Sequence, residues 1–384
     1  MLRRILSSAG LLGLAIGALL LATPAQRITA ALSPHFWTPR HPAALVEIIG
    51  GFAFVRPSAA SLALDPNDDA RLWAAMTSSA AADAPLPGLY TSADAGLSWT
   101  RPITQPADVD APAPLIATNP ITPGLLLASF ERGLRDGVGG LQRSDDGGLT
   151  WTTQLADVRA TSIVWSVDGR QVYAATVGVG GNPNGGPLRS DDGGRTWQRL
   201  SSPTSGAQPL TPKVFAVDPT GAAHVWTIAG GALFESVDAG VRWTPRLPPS
   251  AALKTIAVNR AAPDLLLAGG EDGLRRSDDG GLIWTPVALP PSDYSAAIDL
   301  LAWSPAAPQT AYAARRSTQL WRSDDGGLSW LPDSRGLPPS IARDPLAIVF
   351  DPDNAERLFI SLAYDRIYVT LPLLGQQWLP LAAR

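Results

Sequence analysis

Four carboxylates in two close pairs are the residues of this chain best placed for acid–base chemistry: Glu131 with Asp136, and Glu271 with Asp272. Glycoside hydrolysis needs two carboxylates flanking the scissile bond, roughly 5 to 9.5 Å apart. One member of each pair, brought face to face, would supply them. Beside these acids stand Arg132, Arg135, Arg315, Arg316 and Arg366, with Tyr364 and Asp365 next to the last. A guanidinium holds a carboxylate with two parallel hydrogen bonds. Arg132, Arg315 and Arg366, if they converge, would therefore bind an acidic ligand or an acidic loop of a partner protein. The whole chain has five glutamates, and no catalytic signature surrounds any of them. Binding is the first expectation, of a protein or a glycan, and hydrolysis of a carbohydrate the alternative.

The elements that position these residues are announced by a repeat. Ser92, Asp94, Gly96 and Trp99 recur as Ser144, Asp146, Gly148 and Trp151, and as Ser190, Asp192, Gly194 and Trp197. Three further copies are Ser236, Asp238, Gly240, Trp243; Ser277, Asp279, Gly281, Trp284; and Ser323, Asp325, Gly327, Trp330. A seventh, decayed copy keeps Gly375 and Trp378. The seven tryptophans are 52, 46, 46, 41, 46 and 48 residues apart, the period of four-stranded propeller blades. Each unit opens with an apolar strand ending in a turn, such as Leu62–Asp65 before Pro66, followed by a second apolar strand, such as Leu72–Ala75. A third strand leads into the repeat and its Trp starts a fourth. The expected fold is all-β: a single seven-bladed β-propeller of four-stranded antiparallel blades, A to D, over residues 60–384.

Within the repeat each residue has a structural duty. Ser and Asp accept hydrogen bonds from nearby amides to hold a tight turn, Gly takes a backbone conformation closed to larger residues, and Trp packs over the turn. Six equivalent copies spread round a ring cannot all be one active site, so these acids are scaffold rather than metal ligands or catalysts. In the Asp-Asp-Gly-Gly form the first Asp gives way to Ala93 and Val237, whereas the second persists in all six. Arg143, Arg189, Arg276 and Arg322, each directly before a repeat, are expected to be structural as well. The A–B and C–D connections share one face of a propeller, and the B–C and D–A connections the other. All the candidate residues named at the outset fall in B–C loops. Those loops are longest in blades one to three (77–88, 129–140 and 176–187), which predicts a wall there and a groove over the later blades.

The Ser-x-Asp-x-Gly-x-Ser/Thr-Trp pattern over residues 60–384 resembles the Asp-box (BNR) repeat of sialidases, xyloglucan-degrading glycosidases, sortilin-type receptors and photosystem II assembly and stability factors. A single exported seven-bladed propeller is most similar to the assembly factors, and that resemblance implies a noncatalytic chaperone of membrane complexes. Sialidases are typically six-bladed and need an arginine triad, a Tyr-Glu pair and an acid Asp. Phe54-Val55-Arg56-Pro57 matches their Arg-Ile-Pro signature only in part. Xyloglucan glycosidases usually join two propellers, and this chain has room for one.

Composition narrows the rest. A formal charge of -4 leaves no basic stripe for nucleic acid. The absence of cysteine excludes disulfides, thiolate nucleophiles, cysteine-held zinc and a lipidated cysteine. His35, His41 and His224 are too scattered for a metal site, and no cofactor is expected. Arg3 and Arg4 precede an uncharged Leu-, Ala- and Gly-rich stretch from Ile5 to Ala25, with Thr23-Pro24-Ala25 suited to cleavage. Residues 1–25 are read as a signal peptide or an N-terminal membrane anchor, with the remainder outside the cytoplasm and monomeric. Residues 26–59 form a stem in which Leu45–Ile49 and Phe52–Val55 could add an edge strand.

Overall fold

Strand by strand, the chain alternates between runs that must be buried on both sides and runs that reach water, and this gradient builds the blades. In the computed structural model, which describes residues 35–40, 59–76, 88–100, 115–130, 139–179, 185–290, 297–315, 319–334, 337, 344–355, 357–362 and 367–372, blade 5 shows the plan. Its strands Leu253–Val258, Leu266–Gly270, Gly273–Ser277 and Thr285–Val287 pair antiparallel in chain order. Strand B is buried at every position, because a neighbouring blade covers each face of the sheet. Strand D is mostly exposed at the rim.

Seven such blades close a ring. The innermost strands, Ala59–Asp65, Leu115–Thr118, Val158–Trp165, Pro212–Val217, Leu253–Val258, Leu300–Trp303 and Pro345–Phe350, touch in that order, and the last touches the first. Apolar side chains fill each gap between blades. Ala63, Trp73 and Leu89 of blade 1 pack on Ile116, Leu126 and Phe130 of blade 2, and Leu62, Leu72 and Trp99 meet Phe359, Ile367 and Val369 of blade 7. In blade 1 the fourth strand is seen, among the described residues, as a bridge between Thr91 and Thr100. A small hairpin, Thr204–Ser205 with Gln208–Pro209, is inserted between blades 3 and 4.

Blade 7 takes its outermost strand from the other end of the chain. His35–Arg40 pairs antiparallel with Ile367–Pro372, in register His35 opposite Pro372 and Arg40 opposite Ile367. The expectation from sequence placed a fourth strand after Trp378 and an edge strand at Leu45–Ile49 or Phe52–Val55. Those runs, Gly375 and Trp378 lie outside the described residues, and the observed partner lies upstream of both runs. Ring closure therefore joins the N-terminal and C-terminal segments in one sheet.

The six C–D hairpins share one geometry. The Ser Oγ accepts the amide of the second Gly at 2.8 to 2.9 Å and donates to the Asp Oδ1. That oxygen accepts the amide four residues on, again at 2.8 to 2.9 Å. The indole N–H of the Trp donates to the carbonyl of the second Gly in five copies. Trp243 donates instead to Ser201. Each hairpin also bonds the A–B turn of its own blade, as in Gly147 to Gly124 and Gly193 to Arg170. Both turns therefore occupy one face.

The arginines before the hairpins explain why the first Asp varies. Arg143, Arg189, Arg276 and Arg322 pair with Asp145, Asp191, Asp278 and Asp324, two residues on, since side chains at i and i+2 of a strand share a side. Where Ala93 and Val237 replace that Asp, Thr91 and Glu235 replace the arginine. Glu235 pairs with Arg246 of the adjoining strand.

Candidate functional site

On the face opposite the hairpins, the B–C corner of blade 5 is a tight turn, Gly270-Glu271-Asp272-Gly273, clasped between two backbones. Glu271 N–H donates to Ala252 O at 3.2 Å and Ile298 N–H to Gly270 O at 2.9 Å. Position 270 of this corner admits only glycine. A Cβ on Gly270 would stand 2.4 Å from the Ala252 carbonyl oxygen, and one on Gly269 would stand 2.6 Å from Ile298.

The clasp brings three charged side chains together. Lys254, on the innermost strand of blade 5, places its Nζ 2.8 Å from Glu271 Oε1 and 2.8 Å from Asp299 Oδ1 of blade 6. Its ammonium is held above the usual lysine range: burial pulls it down, and the two carboxylates outweigh that. The two acids thus lie within the span of one ammonium. That ammonium occupies the gap a glycosidic bond would need. The Asp299 amide donates to Ala314 O at 3.0 Å, next to Arg315. Arg315 is 6% exposed, its guanidinium carbon lies 5.0 Å from the Trp321 ring, and burial lowers its pKa.

Of the sequence-predicted residues, Glu271, Asp272 and Arg315 are therefore placed. Glu271 and Asp272 are exposed, and Arg315 is packed inside blade 6 rather than standing at the rim. Glu131, Arg132, Arg135, Asp136, Arg316, Tyr364, Asp365 and Arg366 lie outside the described residues. Sequence reasoning missed Lys254 and Asp299. Lys254 is one of only two lysines in the chain, and that scarcity was the signal available.

The same face carries a groove of about 310 Å³ between the B–C loop of blade 3 and the hairpin inserted before blade 4. Thr176, Gly178, Gly186, Pro209, Leu210 and Thr211 are among its walls, and among the described residues that line it none is titratable. This groove lies beside blade 3.

The other face has a wider cleft of about 640 Å³ between blades 3 and 4, with Asp168, Arg170, Gln171, Arg189 and Asp191 on its walls. Arg189 and Gln171 both bond Asp191, and Asp168 bonds Ser166. Close by, His224 sets Nδ1 2.9 Å from Asp218 and Nε2 2.7 Å from Glu235. Its two nitrogens point to separate carboxylates, a clamp within blade 4. Among the described residues no three His, Cys, Asp or Glu side chains could hold one metal ion.

No family model matches this sequence, and no curated protein matches it. Solved structures do match its fold. The xyloglucanase of glycoside hydrolase family 74 from Xanthomonas campestris superposes with a TM-score of 0.60 at 18% identity, over 90% of this chain and 55% of that enzyme. The chain thus spans little more than half of that protein. YCF48 from Cyanidioschyzon merolae gives a TM-score of 0.60 at 16% identity, over 88% of this chain and 98% of that one. A structure of YCF48 bound to D1 peptide gives 0.56 at 15% identity, over 87% and 96%.

Proposed function

We propose that this chain is a noncatalytic, exported propeller that binds an extended segment of a partner protein on the face opposite its hairpins, and that the hairpins are Asp boxes. The single observation that carries the reading is the chemistry of that face. The described walls of its groove are glycine backbone, Leu210 and small polar side chains. The carboxylates Glu271 and Asp299 are both tied to Lys254. A channel bordered by open backbone suits a peptide, whose main-chain groups supply affinity while side chains fill neighbouring hollows. The likeness to YCF48, one of whose structures holds a D1 peptide, supports the same reading. Arg132 and Arg366, on the loops of this face by sequence, would add carboxylate recognition for an acidic segment. Export rests on the segment from Ile5 to Ala25.

The likeness to a xyloglucanase supports a second reading, carbohydrate hydrolysis with Glu271 among the acids. One experiment separates the two. The full chain and its Thr211→Arg and Arg366→Ala variants are used to recover partners from the membrane fraction of the source cells, in parallel with a reducing-sugar assay on xyloglucan. Thr211 is exposed, so an arginine there crowds the groove without disturbing the core. The binding reading expects a partner whose recovery falls with both variants and no sugar release. Sugar release abolished by Glu271→Gln, or a partner retained equally by every variant, would overturn it.

A further inference from the structure

We infer that the hairpin face of the ring rests on a lipid bilayer, with the aliphatic side chains of the hairpins dipping into it. The inference rests on reading Ile5–Ala25 as a retained membrane segment, and it concerns the face opposite the proposed binding groove.

The first observation is where exposed apolar side chains lie. Nine large hydrophobic residues are exposed among the described residues, and seven belong to the hairpins: Leu97, Leu149, Val237, Val241, Leu282, Ile283 and Leu328. The other two, Leu331 beside Trp330 and Ile121 in the A–B turn of blade 2, are on the same face. None of the nine is among the described residues of the opposite face. The position after the second Gly is aliphatic in five of six hairpins, 58 to 65% exposed, and Arg195 in the sixth. Hairpin geometry is carried by Ser, Asp, Gly and Trp, so nothing in the fold requires Leu there. Single exposed apolar residues are ordinary, but recurrence at one position on one face is not scatter.

The second observation is where the chain enters. Because His35 pairs with Pro372, at the hairpin end of blade 7, and Arg40 with Ile367, at the far end, the N-terminal segment joins the ring on the hairpin face. Ile5 to Ala25 falls within the roughly 17 to 25 residues that span a bilayer. Residues 26–34 can reach at most about 30 Å, whereas a domain of this length has a radius of gyration of roughly 20 Å. Because the tether attaches on the hairpin side, that face is the one nearest the membrane. The four arginines before the hairpins are paired to hairpin aspartates, and the six second aspartates leave the face acidic, so the contact is with neutral lipid and gains nothing from anionic headgroups. Contact would be apolar and insensitive to salt. The groove would then face away from the bilayer.

The chain has no cysteine, which makes a clean test possible. Single cysteines replace Leu149, Leu282, Leu328 or Asp272 in the full chain, which is labelled with an environment-sensitive dye and reconstituted into phosphatidylcholine/phosphatidylethanolamine vesicles containing nitroxide lipids. The three hairpin labels should be quenched at least about threefold more than the Asp272 label, as for side chains at the headgroup–acyl boundary, and equally at low and high salt. In a second arm, Leu149→Ser, Leu282→Ser and Leu328→Ser are combined with a label at Ile121. Quenching there should fall while circular dichroism stays unchanged, since these side chains are exposed. Equal quenching on the two faces, release of the protein from vesicles by carbonate, or lipid-independent shielding of the hairpin labels in a dimer would each overturn the inference.

Discussion

The indole N–H of Trp73 donates to the carbonyl of Gly147 at 3.0 Å, across 74 residues of sequence and one blade boundary. A fully buried side chain of blade 1 thereby seats the hairpin of blade 2. Arg143 Nε does the same for Gly193 O at 2.9 Å, and Arg276 Nε for Gly326 O at 2.8 Å. The hairpins thus serve as fasteners between blades. Trp73→Phe keeps most of the ring volume but leaves a buried carbonyl unpaired, which costs about 1 to 3 kcal/mol. Urea unfolding should show that loss, and an unchanged midpoint would contradict the fastening role.

The two aspartates of each hairpin should differ in weight. Asp146 takes amides from Leu149 and Thr150 and hydroxyls from Thr150 and Ser144, whereas Asp145 is 60% exposed and pairs with Arg143. Asp146→Ala is expected to cost about 2 kcal/mol, as hydrogen bonds to a charged group do. Asp145→Ala should cost under about 1 kcal/mol. Thermal unfolding of the two variants side by side checks the ranking.

Two hairpins carry strain that glycine would relieve. Ala95 and Ala239 sit at φ 59 and 60, where the first Gly of the other copies stands, and a left-handed residue with a Cβ costs roughly 1 to 2 kcal/mol. After the extra backbone entropy of glycine is subtracted, Ala239→Gly should stabilise the protein by about 0.5 to 1 kcal/mol. A lower melting temperature for this variant would refute the strain.

Acid should weaken the ring through the hairpins. All six conserved-position aspartates, Asp94, Asp146, Asp192, Asp238, Asp279 and Asp325, are held below the ordinary carboxylate value. For Asp192 burial raises the pKa, but the Thr196 hydroxyl and amide, with Ser190 and Arg195, lower it further, to about 2. A depressed folded value means stability that is complete above the unfolded value of 3.8 and lost as pH falls toward 2. Urea midpoints should be flat above about pH 5 and drop below pH 4, and Asp192→Asn should lessen the drop.

Ring closure makes the stem part of the domain. Deleting residues 35–40 removes the outermost strand of blade 7 and leaves Ile367–Pro372 as an open edge. The deletion should lower the melting temperature of the whole cooperative unit. A deletion ending before residue 35 should leave that temperature unchanged, as calorimetry can show.

Strand alternation and the Ser-x-Asp-x-Gly-Trp repeat made the seven units legible, because a blade is a local meander whose pattern recurs every 41 to 52 residues. The Arg–Asp pairs were also within reach. Arg143 with Asp145 and the three parallel pairs vary together along the chain, and the i, i+2 rule for strands is local.

What sequence alone determined about this protein is the blade: its strands, its hairpin chemistry and the number of its repeats. Tertiary structure decided which segments and side chains meet beyond that local pattern. It joined His35–Arg40 to Ile367–Pro372, set Lys254 between Glu271 and Asp299, and turned Arg315 inward against Trp321. Those contacts depend on how the ring closes, on how blades 5 and 6 stack, and on which backbone can approach a glycine corner such as Gly270. The periodicity of a single strand encodes none of these.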